Sequence, residues 1–365
     1  MEKNLLRIAI THGDINGIGY EILLKAFAEP MFAELFCPIV YGSAVVEKYW
    51  RDALQIESEP WQLISQASEA RPGQVNLIDV CGEQIQVQPG EANRTSGMAA
   101  LAALERAMSD IKSRQCDALV TAPINKSAMP VDVFPFKGHT DYLAHKCGAE
   151  ARGLMILFSD ECRVALATTH CALQEVSQHL SVDLIVDKLQ QMEHSLIQDF
   201  GIVKPRIALL SVNPHASDHG LMGDEEERIL LPALEQAQRE HILCFGPYAA
   251  DGFWGSDSSM RFDAILAIYH DQGLAPFKAL YMNRGVNFTA NLPFVRTSPD
   301  HGTGYDIVGK GVASEESLRS AVYAAIDIYR ARSRYQEATK SPLRKTYFEK
   351  GNDNEKLETP PGGEE

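Results

Sequence analysis

The stretch RIAITHGDINGIGYE, residues 7–21, shows the pattern that decides the fold. Arg7–Thr11 is a short apolar run typical of a buried strand. A loop with several glycines follows, and a helix is predicted from about Glu21. The same order of strand, loop and amphipathic helix recurs along the chain. This alternation predicts an α/β fold with a mostly parallel sheet.

Other short apolar runs share the β-branched character of the first strand. They are Ile39–Tyr41, Val75–Val80, Ala118–Thr121, Leu154–Phe158, Val164–Thr168, Ile207–Ser211 and Ile265–Tyr269. Apolar residues spaced by three and four positions predict helices. These helices are Met98–Lys112, Val182–Phe200, Glu225–Arg239 and Glu315–Arg332. Residues 340–365 are poor in apolar residues and are predicted to form a disordered acidic tail.

Length and charge limit the classes of function. A chain of 365 residues is long enough for two domains, and its formal net charge is −15. An acidic protein lacks the basic surface that nucleic acids and anionic membranes require. Apolar stretches long enough to span a bilayer are absent from the sequence. Seven scattered cysteines without a CxxC pair argue against a disulfide framework and a thiolate metal site, and they favour the cytoplasm.

Three predicted strands are each followed by a histidine. The histidines are His170, His215 and His270, and each follows the carboxyl end of its strand. Ligands of open α/β sheets bind in the crevice outside these ends. Three imidazoles delivered there predict a site for Zn²⁺, Co²⁺ or a similar cation. Each histidine taken singly is more typical of an ordinary hydrogen-bonding residue at a strand end, and only the shared position of the three favours a metal site. The neighbouring Asp271 is either a partner of the metal ligands, a proton acceptor or a cap on the next turn.

Two glycine-rich stretches resemble nucleotide-binding motifs without completing them. Residues 17–22 begin like a dinucleotide fingerprint, but Ile22 stands at the third glycine position. Residues 304–311 imitate a Walker A loop, but Gly311 replaces the serine or threonine that would bind Mg²⁺. The glycines are equally explained by tight turns.

A group of cations follows the third histidine. Lys278, Arg284 and Arg296 lie within about twenty-six residues of His270, with Asn287 between them. Arginine pairs with phosphate or carboxylate through two parallel hydrogen bonds, and lysine acts as a point charge. Such a group in an acidic chain predicts an anionic substrate beside the metal, although solvated surface cations are the alternative.

Several short motifs carry a family resemblance. They are GHTD at 138–141, ATTH at 167–170, NPHA at 213–216, YHDQG at 269–273, RGVN at 284–287 and PFVRTS at 293–298. In this order, over residues 5 to 335, they resemble the 4-hydroxythreonine-4-phosphate dehydrogenase family of vitamin B6 biosynthesis. Residues 300–311 are similar to the nucleotide loop of isocitrate and isopropylmalate dehydrogenases. The first loop, residues 11–19, departs from the family, which commonly has Pro-Gly-Glu-Pro-Ala or Pro-Gly-Asp-Pro-Ala before Gly-Ile-Gly.

The resemblance implies a two-domain fold like that of isocitrate and isopropylmalate dehydrogenases, with the active site in a cleft between the domains. Residues 1–125 and 300–338 would form the nucleotide-associated domain, and residues 126–299 would form the metal- and substrate-binding domain. A homodimer is implied as well, because in this family the active site is built from two subunits.

The resemblance also implies roles for single residues. His170, His215 and His270 would bind one divalent cation per subunit, whether Zn, Co or Mg. The substrate would contact five residues, the last three largely at its anionic groups: His139, Thr140, Lys278, Asn287 and Arg296. The adenosine end of NAD or NADP would lie on a loop with five candidate contacts: His301, Gly302, Thr303, Asp306 and Lys310.

The implied reaction is the oxidation of a phosphorylated hydroxy-amino acid at a secondary alcohol. Asp271, Asp251 and a metal-bound water are candidates for the proton acceptor. Two rival functions stay open. One is a sister dehydrogenase that acts on 4-phospho-threonate or 4-phospho-erythronate, and the other is a metal-dependent aldolase or hydrolase without a nicotinamide.

Overall fold

The computed structural model describes residues 5–130, 132–136, 138–148 and 153–341. Nearly all of the predicted acidic tail lies outside these residues. Among the helices of the described ranges, none is long and apolar enough to cross a membrane. The seven cysteines all lie within these ranges and are unpaired, as their scattered spacing predicted.

Within the described residues, twelve strands form one sheet. In chain order they are β1 Arg7–Thr11, β2 Cys37–Gly42, β3 Gln62–Ile64, β4 Asn76–Asp79, β5 Ala118–Thr121, β6 Leu154–Phe158, β7 Arg163–Leu166, β8 Ile207–Leu210, β9 Cys244–Tyr248, β10 Ala264–Ala267, β11 Val286–Ala290 and β12 Val295–Pro299. Their order across the sheet is β3-β4-β2-β1-β5-β12-β11-β6-β7-β10-β8-β9. Every predicted strand is present, with ends that differ by up to two residues.

The sheet consists of two parallel halves that run in opposite directions. Strands β3, β4, β2, β1, β5 and β12 are mutually parallel, and so are β7, β10, β8 and β9. Between the halves, β11 and β6 pair antiparallel with their neighbours. The predicted mostly parallel sheet is therefore confirmed, and the carboxyl ends of β7, β10 and β8 share one edge.

The strands are connected by α-helices. Those in the described residues are α1 Gly19–Phe27, α2 Pro30–Ala33, α3 Ala44–Ala53, α4 Arg94–Lys112, α5 His139–Cys147, α6 Val176–His179, α7 Val182–Gln198, α8 Leu231–Arg239, α9 Ala250–Trp254, α10 His270–Tyr281 and α11 Glu316–Thr339. The predicted continuous helix over Glu225–Arg239 is instead a π-helical turn, Glu226–Leu230, followed by α8. Pro232 lies in the first turn of α8, where its missing N–H interrupts regular α-helical hydrogen bonding.

Helices cover both faces of the first half of the sheet. In β1, the side chains of Ile8 and Ile10 pack into a core cluster with residues of α1 and α11. Ala9 points to the opposite face and packs into a second cluster with residues of α4. This alternation is the reason that β1 has an uninterrupted apolar sequence. The division of the chain into domains at residues 125 and 300 stays a prediction.

Candidate active site

A polar cavity of about 290 Å³ lies against the middle of the sheet, and we call it the central cavity. Its lining includes eight residues that the sequence singled out, namely His139, Thr140, His170, Lys278, Asn287, Arg296, His301 and Gly302. These residues come from segments up to 163 positions apart in the chain, since 302 − 139 = 163. The structure thus brings together the predicted substrate residues and the start of the predicted nucleotide loop.

One face of four neighbouring strands forms the floor of the central cavity. Asn287 of β11 lies opposite Ser298 of β12, and Thr289 lies opposite Met155 of β6. Side chains alternate between the two faces of a strand, so every second residue of β11 and β12 faces the cavity. These residues are polar, whereas Val286, Phe288 and Val295 on the other face belong to the core. The apolar-run criterion missed both strands for this reason.

Arg296 is a buried cation at the centre of this floor, with 2% of its surface exposed. Its Nε and Nη2 donate to Thr121 Oγ1 at 3.1 and 2.6 Å, and its Nη1 donates to Thr289 Oγ1 at 3.0 Å. Burial lowers the pKa of Arg296 to about 9. No carboxylate of the described residues forms an ion pair with it. The guanidinium is therefore a buried charge that is hydrogen-bonded only to neutral oxygens.

His139 begins helix α5 beside this guanidinium. Its Nε2 is buried and has no hydrogen-bond partner among the described residues. Burial, with the charges of Arg296 and Lys126, holds the pKa of His139 well below its usual range. The ring is therefore neutral, and Nε2 is free to interact with a bound molecule. Thr140 follows it, and its Oγ1 lies 3.4 Å from Thr289 Oγ1.

The carboxyl ends of β7, β10 and β8 are joined by hydrogen bonds from two buried side chains. Thr168 Oγ1 donates to the carbonyl of Ile268 at 2.8 Å. Gln272 accepts from the backbone N–H of Ile268 at 2.7 Å and donates to the carbonyl of Ser211 at 2.6 Å. These bonds fix the spacing of the three strand ends, and a histidine follows each strand within five residues.

His170 and His270 lie side by side, with their ring centroids 6.5 Å apart. His270 Nδ1 lies 2.7 Å from Asp271 Oδ1, which orients the ring and leaves Nε2 free. Two imidazoles on one tetrahedral Zn²⁺ have centroids about 5 Å apart, given a Zn–N bond of about 2.0 Å. The observed separation is wider than this, so a shared tetrahedral cation would require the two rings to move closer together.

His215 lies in a left-handed turn after β8. Five consecutive residues, 215–219, have positive φ values between 45° and 66°. The buried carboxylate of Glu226 anchors the start of this turn by accepting from the backbone N–H groups of Val212 and Asn213, each at 2.8 Å. His215 is exposed there. Across the described ranges, no three His, Cys, Asp or Glu side chains are grouped closely enough to hold a metal ion.

The two predicted acidic proton acceptors lie outside the central cavity. Asp271 has 84% of its side chain exposed and contacts His270. Asp251 is exposed in the short helix α9, which follows β9 at the edge of the sheet. The cavity is lined by other acidic residues, Asp141 and Asp300, which sequence reasoning missed.

Lys126, Thr121 and Asp300 are further cavity residues that the sequence analysis did not single out. Lys126 follows β5 and lies beside Gly138, where a Cβ would be 3.3 Å from its Cε. Thr121 and Asp300 end or follow the central strands β5 and β12. Both residues lie at or just after the end of a strand that contributes to the cavity floor. The sequence could not reveal this, because the order of the strands in the sheet must be known first.

The first loop forms the support of the predicted nucleotide loop. The N–H of Ile18 donates to the carbonyl of Thr303 at 2.9 Å, and a Cβ on Gly17 would lie 2.6 Å from that oxygen. Tyr305 OH donates to Asp14 Oδ2 at 2.6 Å. Gly17 is therefore required for close backbone contact. In the nucleotide loop, Gly304, Gly309 and Gly311 have positive φ, as expected for tight turns.

His12 and Asn16 are two of the departures from the family pattern in the first loop. His12 is fully buried, and burial lowers its pKa to about 4, so the ring is a neutral part of the core. Asn16 donates to the carbonyl of Glu91 and accepts from the N–H of Gln88, both at 2.8 Å. These side chains give the loop fixed contacts where the family commonly has prolines and alanine.

Comparison with known proteins gives a consistent result. A family model described as pyridoxal phosphate biosynthetic protein PdxA matches residues 34–325. A 4-hydroxythreonine-4-phosphate dehydrogenase of Bacteroides thetaiotaomicron is 49% identical over 357 residues, which cover 98% of each chain. The corresponding protein of Prosthecochloris aestuarii is 42% identical over 88% of this chain and 96% of its own.

A solved structure extends the agreement to the fold. The 4-hydroxythreonine-4-phosphate dehydrogenase of Klebsiella pneumoniae superposes with a TM-score of 0.78 at 32% identity, over 90% of this chain and 99% of that one. The chain therefore belongs to the PdxA family of 4-hydroxythreonine-4-phosphate dehydrogenases and is an oxidoreductase.

Proposed function

We propose that this enzyme oxidises 4-(phosphooxy)-L-threonine with NAD or NADP in pyridoxal 5'-phosphate biosynthesis. The product is 2-amino-3-oxo-4-(phosphooxy)butanoate, a β-keto acid that decarboxylates to 3-amino-2-oxopropyl phosphate. The observation that carries the proposal is Arg296, a buried guanidinium with no carboxylate partner in the described residues. A buried, unpaired charge is costly, and a bound anion removes that cost.

The phosphate of the substrate is the anion that suits this position. A guanidinium presents parallel N–H donors that match phosphate oxygens, and Thr121 and Thr289 hold it in place. The neutral His139 adds a donor or acceptor at Nε2. Lys126 adds a second positive charge at the exposed side of the cavity. Asn287, on the same floor, supplies an amide for the polar groups of the substrate.

A divalent cation would be held by His170 and His270, with His215 as the third ligand. When bound, the cation polarises the substrate hydroxyl and favours its ionisation. Asp271 orients His270 through Nδ1, which gives it a supporting role in this scheme. The exposed position of His215 on its turn suits a ligand that completes the site by moving inward or by reaching the cavity of a second subunit.

We propose that the enzyme is a homodimer with a composite active site, and the placement of the histidines supports this. The central cavity of one chain contains the substrate residues but only one of the three histidines, His170. The unpaired cysteines are compatible with a cytoplasmic enzyme.

The nicotinamide cofactor would lie along residues 301–310. When bound, it accepts a hydride from the substrate carbon. Asp306 and Lys310 are exposed in this loop. A carboxylate can accept hydrogen bonds from ribose hydroxyls, and an ammonium group attracts phosphate. Gly302 has open space around its backbone, which allows close approach of a ligand. His301 and Thr303 complete the candidate contacts.

Replacing Tyr305 with phenylalanine is expected to raise the KM for the nicotinamide cofactor roughly five- to thirtyfold, because one hydrogen bond of about 1–2 kcal/mol to Asp14 is lost. Burial raises the pKa of Asp14, and the hydrogen bond from Tyr305 opposes this shift. We expect kcat to change less than the KM, because Tyr305 acts through the loop conformation. Steady-state kinetics with varied cofactor measure this separation.

Tyr329 provides a matched control for Tyr305. Its hydroxyl also donates to a carboxylate, Asp117 Oδ1 at 3.2 Å, but on helix α11 outside the central cavity. Tyr329→Phe should leave the KM for the cofactor unchanged. Equal effects of both substitutions would show that Tyr305 has no particular role at the cofactor loop.

A substrate panel tests the proposed function. Purified enzyme is incubated with 4-(phosphooxy)-L-threonine, 4-phospho-threonate, 4-phospho-erythronate and unphosphorylated 4-hydroxythreonine, each with NAD and NADP and several divalent metals. We expect reduced nicotinamide absorbance to rise fastest with 4-(phosphooxy)-L-threonine. A higher kcat/KM for one of the other phosphorylated acids would identify that acid as the substrate instead. If neither NAD nor NADP were reduced with any of the acids, the proposed dehydrogenase reaction would be excluded.

A further inference from the structure

Lys278 has a carboxylate partner, whereas Arg296 forms no ion pair with a carboxylate of the described residues. Its Nζ lies 3.3 Å from Asp300 Oδ1 and donates to the carbonyl of Asp300 at 3.0 Å. The side chain of Lys278 is 38% exposed, and that of Asp300 only 6%. Both residues line the central cavity, and Asp300 is the more deeply buried of the two.

This pairing changes the expected task of Lys278. A bound anion gains most from a cation whose charge is uncompensated, and Arg296 is such a cation. The charge of Lys278 is already offset by Asp300, so its attraction for a phosphate is weaker. Anion binding is thus concentrated at the Arg296 side of the cavity, and the Lys278–Asp300 pair is left for another function.

The pair lies close to the predicted reaction centre. Lys278 and Asp300 line the same cavity as His170. Lys278 also lies on α10, the helix that begins with His270. The helix tolerates Pro276 because the indole N–H of Trp254 donates to the carbonyl of Gln272, which the proline cannot serve. Helix α10 thus holds a metal-site histidine and a lysine in fixed relation.

Asp300 has the properties of a proton-holding group. Its Oδ2 is buried and has no hydrogen-bond partner in the described residues. Burial raises the pKa of Asp300, while Lys278 and then His270 oppose the shift. A carboxylate in this setting can take up a proton at lower cost than an exposed one.

We propose that Lys278 and Asp300 form the proton-accepting pair of the oxidation, which is a step within the proposed function. Lys278 Nζ takes the proton of the substrate hydroxyl as it passes one of its own protons to Asp300 Oδ1. The carbon–hydrogen bond then breaks, and its electron pair leaves with the hydride to the nicotinamide, which is reduced as the alcohol is oxidised to a ketone. The exposed Nζ then releases one proton to water and takes back the proton held by Asp300, which restores the starting ion pair.

The Lys278→Arg variant tests whether Lys278 accepts a proton or only supplies a positive charge. Arginine keeps the positive charge and the ion pair with Asp300, but a guanidinium does not give up a proton in proteins. We expect kcat to fall by about a hundredfold or more, the usual contribution of general acid–base catalysis, with the substrate KM within a few-fold of wild type. A kcat within a few-fold of wild type would overturn the proposal.

Asp300→Asn tests the second member of the pair. Asparagine keeps the shape of the side chain but cannot accept the proton, so kcat is expected to fall and the KM to stay nearly constant. Asp327→Asn is the control, because Asp327 is an exposed residue of helix α11. Thermal unfolding establishes that each variant is folded. A folded Asp300→Asn enzyme with wild-type kcat would also contradict the proposal.

Chemical rescue gives a readout that a structural role would not change. Methylamine and ethylamine added to Lys278→Ala should restore part of the turnover, because each supplies a primary amine that can exchange a proton. Tetramethylammonium carries the charge without a transferable proton and should not rescue. Rescue by tetramethylammonium to the same level would show that only the charge matters.

The outcomes distinguish this inference from the proposed function. Inorganic phosphate should raise the unfolding temperature of Lys278→Arg as much as that of wild type, because Arg296 is unchanged. A wrong substrate assignment appears as low wild-type activity in the panel, and the lysine variants are then assayed with the acid that the panel identifies. A wrong assignment of the pair appears as an active Lys278→Arg enzyme with that same acid.

Discussion

Replacing Arg296 with methionine is expected to raise the substrate KM by about a hundredfold or more, because two hydrogen bonds to a charged group are together worth roughly 3 kcal/mol or more. Methionine fills a similar volume and leaves no buried polar group of its own. The folded enzyme should keep its thermal stability or gain some, because the unpaired buried guanidinium is removed. Steady-state kinetics and thermal unfolding measure the two effects.

Inorganic phosphate provides a direct test of the Arg296 site without turnover. A ligand that binds only the folded protein raises its unfolding temperature. Phosphate should therefore stabilise the wild-type enzyme and have little effect on Arg296→Met. An unchanged KM together with an unchanged response to phosphate would remove Arg296 from the phosphate site.

Arg332 is the matched control for Arg296, since both are buried arginines. Arg332 forms an ion pair with Asp199 at 2.8 Å and donates to the carbonyl of Leu292 at 2.9 Å. Removing one partner of a buried pair costs on the order of 3–5 kcal/mol, so Arg332→Met should lower the free energy of unfolding strongly. The KM of its folded fraction should not change. The two variants are thus expected to show opposite patterns.

His270→Ala is expected to lower kcat by about a thousandfold or more, because metal catalysis of this kind contributes several kcal/mol to the reaction. The fold should be retained, since the ring is at the start of α10 outside the core clusters. Metal binding is the independent readout: wild type should bind about one Zn²⁺ per subunit, and His270→Ala should bind it far more weakly. Calorimetric titration with Zn²⁺ measures this directly.

His170→Ala and His215→Ala should reproduce the loss, and His194→Ala should not. His194 is an exposed residue of helix α7 whose ring contacts Tyr335. If His215 completes the site from a second subunit, mixing His215→Ala with His170→Ala protein should restore part of the activity in mixed dimers. Undiminished turnover of the chelated wild-type enzyme would refute the metal role altogether.

The sequence predicted most of the sheet because buried parallel strands are continuous apolar runs. Strands β1, β5 and β6 were located to the residue. The histidines at 170 and 270 could also be placed near one another, since both follow parallel strands. β11 and β12 could not be recognised, because alternate residues face a polar cavity and interrupt the apolar pattern.

The candidate substrate residues were assigned by resemblance, and the structure places all five of them around one cavity. His139, Lys278 and Arg296 come from segments that are far apart in the chain, and the tertiary structure brings them to one cavity. The sequence treated Lys278 and Arg296 as equivalent cations. Their surroundings in the structure differ. Lys278 forms an ion pair with the carboxylate of Asp300, whereas the buried guanidinium of Arg296 donates to neutral threonine hydroxyls.

The sequence by itself determined the class of fold and predicted the candidate site residues, because apolar periodicity and short motifs are local properties of the chain. Only the tertiary structure decided which cation lacks a partner, which carboxylate is buried and how the first loop supports residues 301–310. These are long-range properties. They depend on the strand order and on desolvation, and residues separated by more than a hundred positions determine them together.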